Sequence, residues 1–263
     1  MMPVLFTVGD FTIRTYLLCT VLAIFTAVVL IRYYEIPHLK GLGKLPPEII
    51  NYNGEALLIA VICTVIGSRL AYVVVNWDLY SEVPLNILAL WRGGFAFHGA
   101  LILAVPALAW HARFRRIPLG KLLDLAIPYI TLSYAIGRLG CFFNGCCYGH
   151  VTESPWGLVY PALADVPRHP TQLYSFGAVL IIAVILLTIS RREFTGPAKA
   201  GGSVFGWFLI LIGGYRFMVE FLRVSEEFAF YLTLAQLVSL IMILGGAGLL
   251  LIRNSKSGGT RNV

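Results

Sequence analysis

Ala56-Leu57-Leu58-Ile59-Ala60-Val61-Ile62-Cys63-Thr64-Val65-Ile66-Gly67-Ser68-Arg69-Leu70-Ala71-Tyr72-Val73-Val74-Val75 holds one charged residue in twenty. At 1.5 Å per residue a helix of this length measures about 30 Å, the thickness of a bilayer's hydrocarbon core. Working outward, comparable apolar stretches recur along the chain. Spans are expected near residues 11–31, 54–76, 95–112, 122–140, 171–190, 203–222 and 232–252. The sequence thus predicts an all-α membrane protein of seven transmembrane helices. Composition agrees: 58% of the 263 residues are hydrophobic and 13% charged, with a mean hydropathy of +0.81. No soluble domain of this size needs so apolar a composition, because it has a surface to hydrate. The first stretch is too long and too weakly basic at its front for a cleaved signal peptide and reads as a retained span.

Breaker residues separate the spans, among them Pro46-Pro47, Pro84, Pro118, Pro155 and Gly196-Pro197. The one long connection runs from about 141 to 169. Residues 1–253 read as a single integral membrane domain, and 254–263 as a flexible cytoplasmic tail.

The net charge of +7 is unevenly placed. In the seven-span scheme Arg32, Lys40, Lys44, Arg113, Arg115, Arg116, Lys121, Arg191, Arg192, Lys199, Arg253, Lys256 and Arg261 fall on one side. Only Arg14, Arg92, Arg168 and Arg223 fall on the other. Such asymmetry is the positive-inside pattern, with the N-terminus extracytoplasmic and the C-terminus cytoplasmic. The basic residues read as topology signals and lipid-headgroup anchors, not as a nucleic-acid surface.

Arg69, Arg138 and Arg216 remain, within or at the ends of spans. Charge there costs roughly 2.5–3.5 kcal/mol on insertion scales, so such residues face a partner or a wet cavity. The orientation puts all three toward the extracytoplasmic side. Tyr16, His98 and the group His169, Gln172 and Tyr174 share that level. Arg216, Glu220 and Arg223 are spaced i, i+4 and i+7, along one helical face. One carboxylate between two guanidiniums holds them without neutralising both, leaving positive charge for an anion. The alternative is a snorkelling interfacial cluster with a structural role. His98, in Gly93-Gly94-Phe95-Ala96-Phe97-His98-Gly99, is by itself more readily structural than catalytic; neutral imidazole is nonetheless able to accept a proton near pH 7.

Three cysteines lie on the extracytoplasmic side, in Cys141-Phe142-Phe143-Asn144-Gly145-Cys146-Cys147. Structural thiols, or a disulfide from Cys141 to Cys146 or Cys147, are favoured over metal, because the spacing is not a recognised zinc pattern. No metal or cofactor is expected. Cys19 and Cys63 read as small core residues.

Together the strings resemble the bacterial prolipoprotein diacylglyceryl transferase family. They are Gly93 to Gly99, Gly137-Arg138-Leu139-Gly140 through Asn144-Gly145, His169-Pro170-Thr171-Gln172-Leu173-Tyr174, and Tyr215-Arg216-Phe217-Met218-Val219-Glu220-Phe221-Leu222-Arg223, in the family's order. The resemblance implies transfer of a diacylglyceryl group from phosphatidylglycerol to the lipobox cysteine thiol of a prolipoprotein, in a bacterial cytoplasmic membrane. The product is a thioether and the leaving group glycerol phosphate. By resemblance His98, Arg138 and Arg216 are catalytic. Tyr16, Arg69, Asn144, Gly145, His169, Gln172, Tyr174, Glu220 and Arg223 are expected to bind substrate. Many members have asparagine where this chain has Cys141, and glutamate followed by hydrophobics where it has Cys146-Cys147-Tyr148. A non-catalytic paralogue that binds lipid or precursor protein is therefore an alternative. An anion transporter is disfavoured, since the polar residues gather at one membrane level.

Overall fold

The computed structural model describes residues 4–8, 11–89, 94–160, 163, 165–196, 201–224 and 231–258. For 8, 11–14, 52–53, 97–98, 101, 254 and 256–258 it describes the backbone alone. Six helical runs among these residues are long and apolar enough to cross a membrane. They are Thr15–Gly41, Gly54–Val75, Leu119–Asn144, Thr171–Thr195, Ser203–Glu220 and Leu234–Arg253. Large apolar side chains such as Phe25, Ile62, Ile181, Val184, Ile241 and Leu244 point outward, whereas Glu35, Asp124, Gln172, Glu220 and Gln236 are buried. A surface of this kind suits hydrocarbon and not water.

The chain divides into two compact units, Met1–Lys44 with Gly120–Val263, and Leu45–Leu119. The first unit opens with an antiparallel pair, β1 (Val4–Val8) and β2 (Phe11–Arg14), in which Val8 faces Phe11 and Val4 faces Arg14. The first span was expected from residue 11. Phe11–Arg14 is instead a strand, and the helix starts at Thr15. It then runs on as α1 (Thr15–Val29), a π-helical turn at Leu30–Glu35, and α2 (Ile36–Gly41). The π turn places Glu35 fully inside, where it accepts a hydrogen bond from the Tyr129 hydroxyl. Tyr129 belongs to α6 (Leu119–Asn144), whose Ser133 donates to the Ala23 carbonyl of α1 at 2.6 Å.

Next to α6 in the sequence come α7 (Thr171–Thr195), α8 (Ser203–Glu220) and α9 (Leu234–Gly258). The core between them is apolar: Ile127 and Ala135 of α6, Val179, Ile182 and Leu186 of α7, and Val204 and Ile212 of α8. At one end Asp124 of α6 caps α8, accepting from the backbone N–H groups of Gly202 (2.6 Å), Ser203 (3.2 Å) and Phe205 (3.1 Å). These are first-turn amides that have no acceptor inside their own helix. α9 continues past Arg253 to Gly258, so helix covers the start of the segment expected as a tail. Residues 259–263 lie outside the described residues.

The second unit contains α3 (Pro47–Val75), α4 (Trp77–Ser81), a 3-10 turn at Pro84–Leu88 and α5 (Phe97–Phe114). α3 and α5 meet backbone to backbone at Gly67 and Gly99. A Cβ on Gly67 would lie 2.3 Å from the Gly99 carbonyl oxygen, and one on Gly99 would lie 2.2 Å from that of Gly67. Small residues at a crossing let membrane helices approach in this way.

Candidate anion site and thiol cluster

At the end of the first unit remote from Asp124, the start of α1, the end of α6, the start of α7 and the end of α8 come together. A Cβ on Gly140 would lie 2.9 Å from Cys19 Cβ and 3.4 Å from the Tyr16 ring, so α6 seats itself directly on the first turns of α1. α6 stops at Asn144 because Gly145 takes φ +69°, a left-handed conformation that glycine adopts without penalty. The segment 145–170 then folds back. The Gly149 N–H donates to the His169 carbonyl, and those of His150 and Thr152 to the carbonyls of Leu222 and Pro167, each at 2.9 Å. Leu158 and Arg168 exchange N–H···O bonds at 3.0 Å. The long connection is therefore a built element, fastened to the end of α8 by the bridge from Gly149 to Arg223.

Arg138 lies about two and a half turns past Tyr129 on α6 and is half-buried. Its guanidinium donates to the hydroxyl of Tyr134 and sits 4.7 Å from that ring's centroid. Its buried Nε has no acceptor among the described residues. No carboxylate among them is ion-paired with it. Tyr215, next to Arg216 on α8, lies within electrostatic reach of both Arg138 and Arg216. Tyr134 was not picked out from the sequence, although the i, i+4 spacing to Arg138 was there to be read.

Arg216 meets Glu220 at 2.6 Å, and Arg223 approaches the same carboxylate oxygen at 3.7 Å. Thr233 donates to the other oxygen at 3.3 Å. The spacing predicted Arg223 on the helical face of Arg216. α8 instead ends at Glu220, and a turn at Phe221–Leu222 carries Arg223 into its bridge with Gly149. The turn still leaves Arg223 beside the carboxylate. Two guanidiniums thus flank one buried carboxylate, and guanidinium is the side chain suited to phosphate oxygens.

Gln172 and Thr171, at the start of α7, hold the cysteine loop. Gln172 Nε2 donates to the Cys146 carbonyl and Thr171 Oγ1 to that of Cys147, both at 2.6 Å. Gln172 in turn accepts from the Tyr160 hydroxyl at 3.0 Å. Burial pushes the Tyr160 phenol above its ordinary pKa. His169 Nδ1 and the Tyr174 hydroxyl are 3.2 Å apart. Cys141, Cys146 and Cys147 are free, half-buried thiols. Hydrogen bonds from the thiols of Cys141 and Cys146, with Arg223 close by, hold Cys147 well below the usual thiol range. Tyr16 lies within electrostatic range of all three.

In the second unit Arg69 is buried, and its guanidinium is taken up by carbonyls. Nε donates to Ile87 (2.9 Å), Nη1 to Gly94 (3.0 Å), and Nη2 to Asn86 (2.7 Å) and Ala89 (3.4 Å). It also stacks over Tyr80, 5.2 Å from the centroid. These bonds tie Arg69 to the segment leading into α5. His98 is the second residue of α5, and its side chain lies outside the described residues, as do Gly93 and Arg92 altogether.

Spanning helices with a polar end where guanidiniums outnumber carboxylates define a polytopic membrane protein. Residues 3–252 match the family described as prolipoprotein diacylglyceryl transferase, and the chain belongs to it. It is 34% identical over 252 residues to a phosphatidylglycerol–prolipoprotein diacylglyceryl transferase of Geobacter sulfurreducens, covering 93% of this chain and 92% of that protein. The transferase of the same name from Vibrio cholerae is 31% identical over 249 residues, 93% of this chain and 88% of the relative. That of Aeromonas hydrophila is 33% identical over 202 residues, 75% of this chain and 72% of the relative.

Proposed function

We propose that this chain transfers a diacylglyceryl group from phosphatidylglycerol to the lipobox cysteine thiol of a prolipoprotein, at the extracytoplasmic side of a bacterial cytoplasmic membrane. The observation that carries this reading is the guanidinium excess around Glu220, together with Arg138 and its unmatched buried Nε. The leaving phosphate acquires charge as the carbon–oxygen bond breaks. Fixed positive groups aimed at developing charge contribute several kcal/mol to such a step.

The roles follow from chemistry. Arg138 and Arg216 take the phosphate, while Glu220 and Arg223 hold Arg216 in place. Asn144 and Gly145 end α6 and set the loop that borders the site. Gln172, through its bond to the Cys146 carbonyl, and His169 with Tyr174 shape the extracytoplasmic wall; Tyr16 faces the lipid. His98 accepts the thiol proton, as the motif it stands in implies, since the thiolate is the nucleophile. Arg69 acts as a scaffold. α5 (18 residues) completes seven spans, with the N-terminus extracytoplasmic.

The test is transfer by purified protein in phosphatidylglycerol vesicles to a lipobox peptide. Transfer that requires the peptide cysteine and falls at least about 100-fold in Arg138→Ala and Arg216→Ala supports the reading. Well-folded wild-type protein that binds the lipid and never lipidates the peptide would mark a non-catalytic paralogue. Flux of glycerol phosphate across the vesicle wall would mark a transporter.

A further inference from the structure

Three thiols converge where α6 gives way to the loop. The Sγ atoms of Cys141, Cys146 and Cys147 all lie within 4.8 Å of one another. Tetrahedral zinc with Zn–S bonds of about 2.3 Å needs sulfur–sulfur separations of about 3.8 Å, within about 1 Å of this arrangement. One disulfide would use two of the three sulfurs and strand the third. One metal ion uses all three.

The surroundings fix the cluster rather than leave it to chance. Cys147 is held at φ +64°, a conformation rare for a residue with a Cβ. The carbonyls of Cys146 and Cys147 are pinned from α7 by Gln172 and Thr171. The Cys146 N–H and Sγ both approach the Cys141 carbonyl, at 3.2 and 3.6 Å. Locking of this kind, from outside the first coordination sphere, orients the ligating groups. Three thiolates and one divalent zinc carry a net charge of −1, and the nearby Arg223 offsets it. The thiols are half-buried, so an ion and one further ligand can reach them.

We propose that Cys141, Cys146 and Cys147 bind one zinc ion as three thiolates and leave its fourth position for the acceptor cysteine of the precursor. The second half of this statement rests on the transferase reading above. The acceptor thiol gives its proton to the base assigned above and binds as thiolate. Its sulfur then forms the new bond to the diacylglyceryl carbon as that carbon's bond to the phosphate oxygen breaks, and the electron pair leaves on glycerol phosphate. No oxidant or reductant takes part.

The experiment uses the full-length protein, purified under reducing conditions and dialysed against zinc, with metal content measured per chain. About one zinc per chain is expected, falling at least about tenfold in Cys141→Ser and in Cys147→Ser. Cobalt replacing zinc in the wild type gives thiolate-to-cobalt charge transfer and tetrahedral d–d bands. These shift on adding a lipobox peptide with cysteine and not one with serine. A zinc content below about one tenth per chain, or a Cys141–Cys146 or Cys141–Cys147 disulfide in its place, overturns the site. Cobalt bands indifferent to the cysteine peptide overturn the fourth-ligand role. Metal content is read without turnover, so zinc bound without any transfer would leave the site standing and remove the transferase reading. Transfer by zinc-free protein would keep the transferase reading and overturn the fourth-ligand role.

Discussion

Replacing Glu220 by glutamine keeps the shape and the Thr233 acceptor and removes one charge from between two guanidiniums. The carboxylate is 5% exposed and lies 2.6 Å from Arg216 and 3.7 Å from Arg223. At an effective dielectric of 20 these separations correspond to about 6 and about 4 kcal/mol of attraction. Most of that offsets the desolvation of the three groups, and breaking a buried pair from one side typically costs about 3–5 kcal/mol. Glu220→Gln is therefore expected to lose about 3–5 kcal/mol of stability, because two like charges then face each other with nothing between them. Adding Arg216→Met should recover much of the loss, since the uncompensated charge is gone. Transfer activity should stay low in the double variant, because the proposed phosphate ligand Arg216 is then missing. Unfolding in mild detergent micelles, followed by tryptophan emission, measures the first two effects, and transfer to a lipobox peptide the third. A loss below about 1 kcal/mol in Glu220→Gln would refute the reasoning, as it would place the pair in the class of exposed ion pairs.

Arg138→Lys keeps the charge and loses the planar fork; kcat/KM for transfer should fall about 10- to 100-fold, and about 100- to 1000-fold in Arg138→Ala. Gly149→Ala should destabilise by about 1–3 kcal/mol in thermal unfolding, because its Cβ would lie 2.2 Å from the Leu222 carbonyl oxygen, a backbone atom that cannot swing aside. Asp124→Ala strips three amides of their acceptor and should cost about 2 kcal/mol or slightly more, with faster hydrogen exchange at Gly202, Ser203 and Phe205.

Six of the expected spans were legible because a bilayer imposes length and apolarity, and the polar residues Tyr16, Arg138, Gln172 and Arg216 stood out against them. The opening strands were not foreseen. Phe11–Arg14 is too short a run for its hydropathy to be told apart from the start of the span that follows it. The Gly9-Asp10 pair between β-rich runs was the available signal for a hairpin. Arg69 was grouped with the other arginines on charge alone. Its partners are main-chain carbonyls from residues 86 to 94, and a backbone acceptor leaves no mark in sequence. The same blindness hid the fastening of residues 145–170 to Leu222 and Arg223, which is made by N–H and C=O groups. For Cys141, Cys146 and Cys147 the spacing matched no known ligand pattern, and only the left-handed turn through Gly145 and Cys147 brings the sulfurs together.

The cap that Asp124 provides for α8 has a consequence for how the chain is made. Its acceptor and donor are separated by 78 residues, so α6 enters the bilayer while the amides it will serve are still unsynthesised. A carboxylate in a membrane helix is expensive until its partners arrive. α6 is already bonded to α1 and the π turn through Ser133 and Tyr129, but its Asp124 carboxylate gains these three donors only when Gly202, Ser203 and Phe205 are made. A nascent chain halted before α8 would display that unsatisfied carboxylate. Cellular quality control would then have a chemical mark by which to tell an unfinished chain from a completed one.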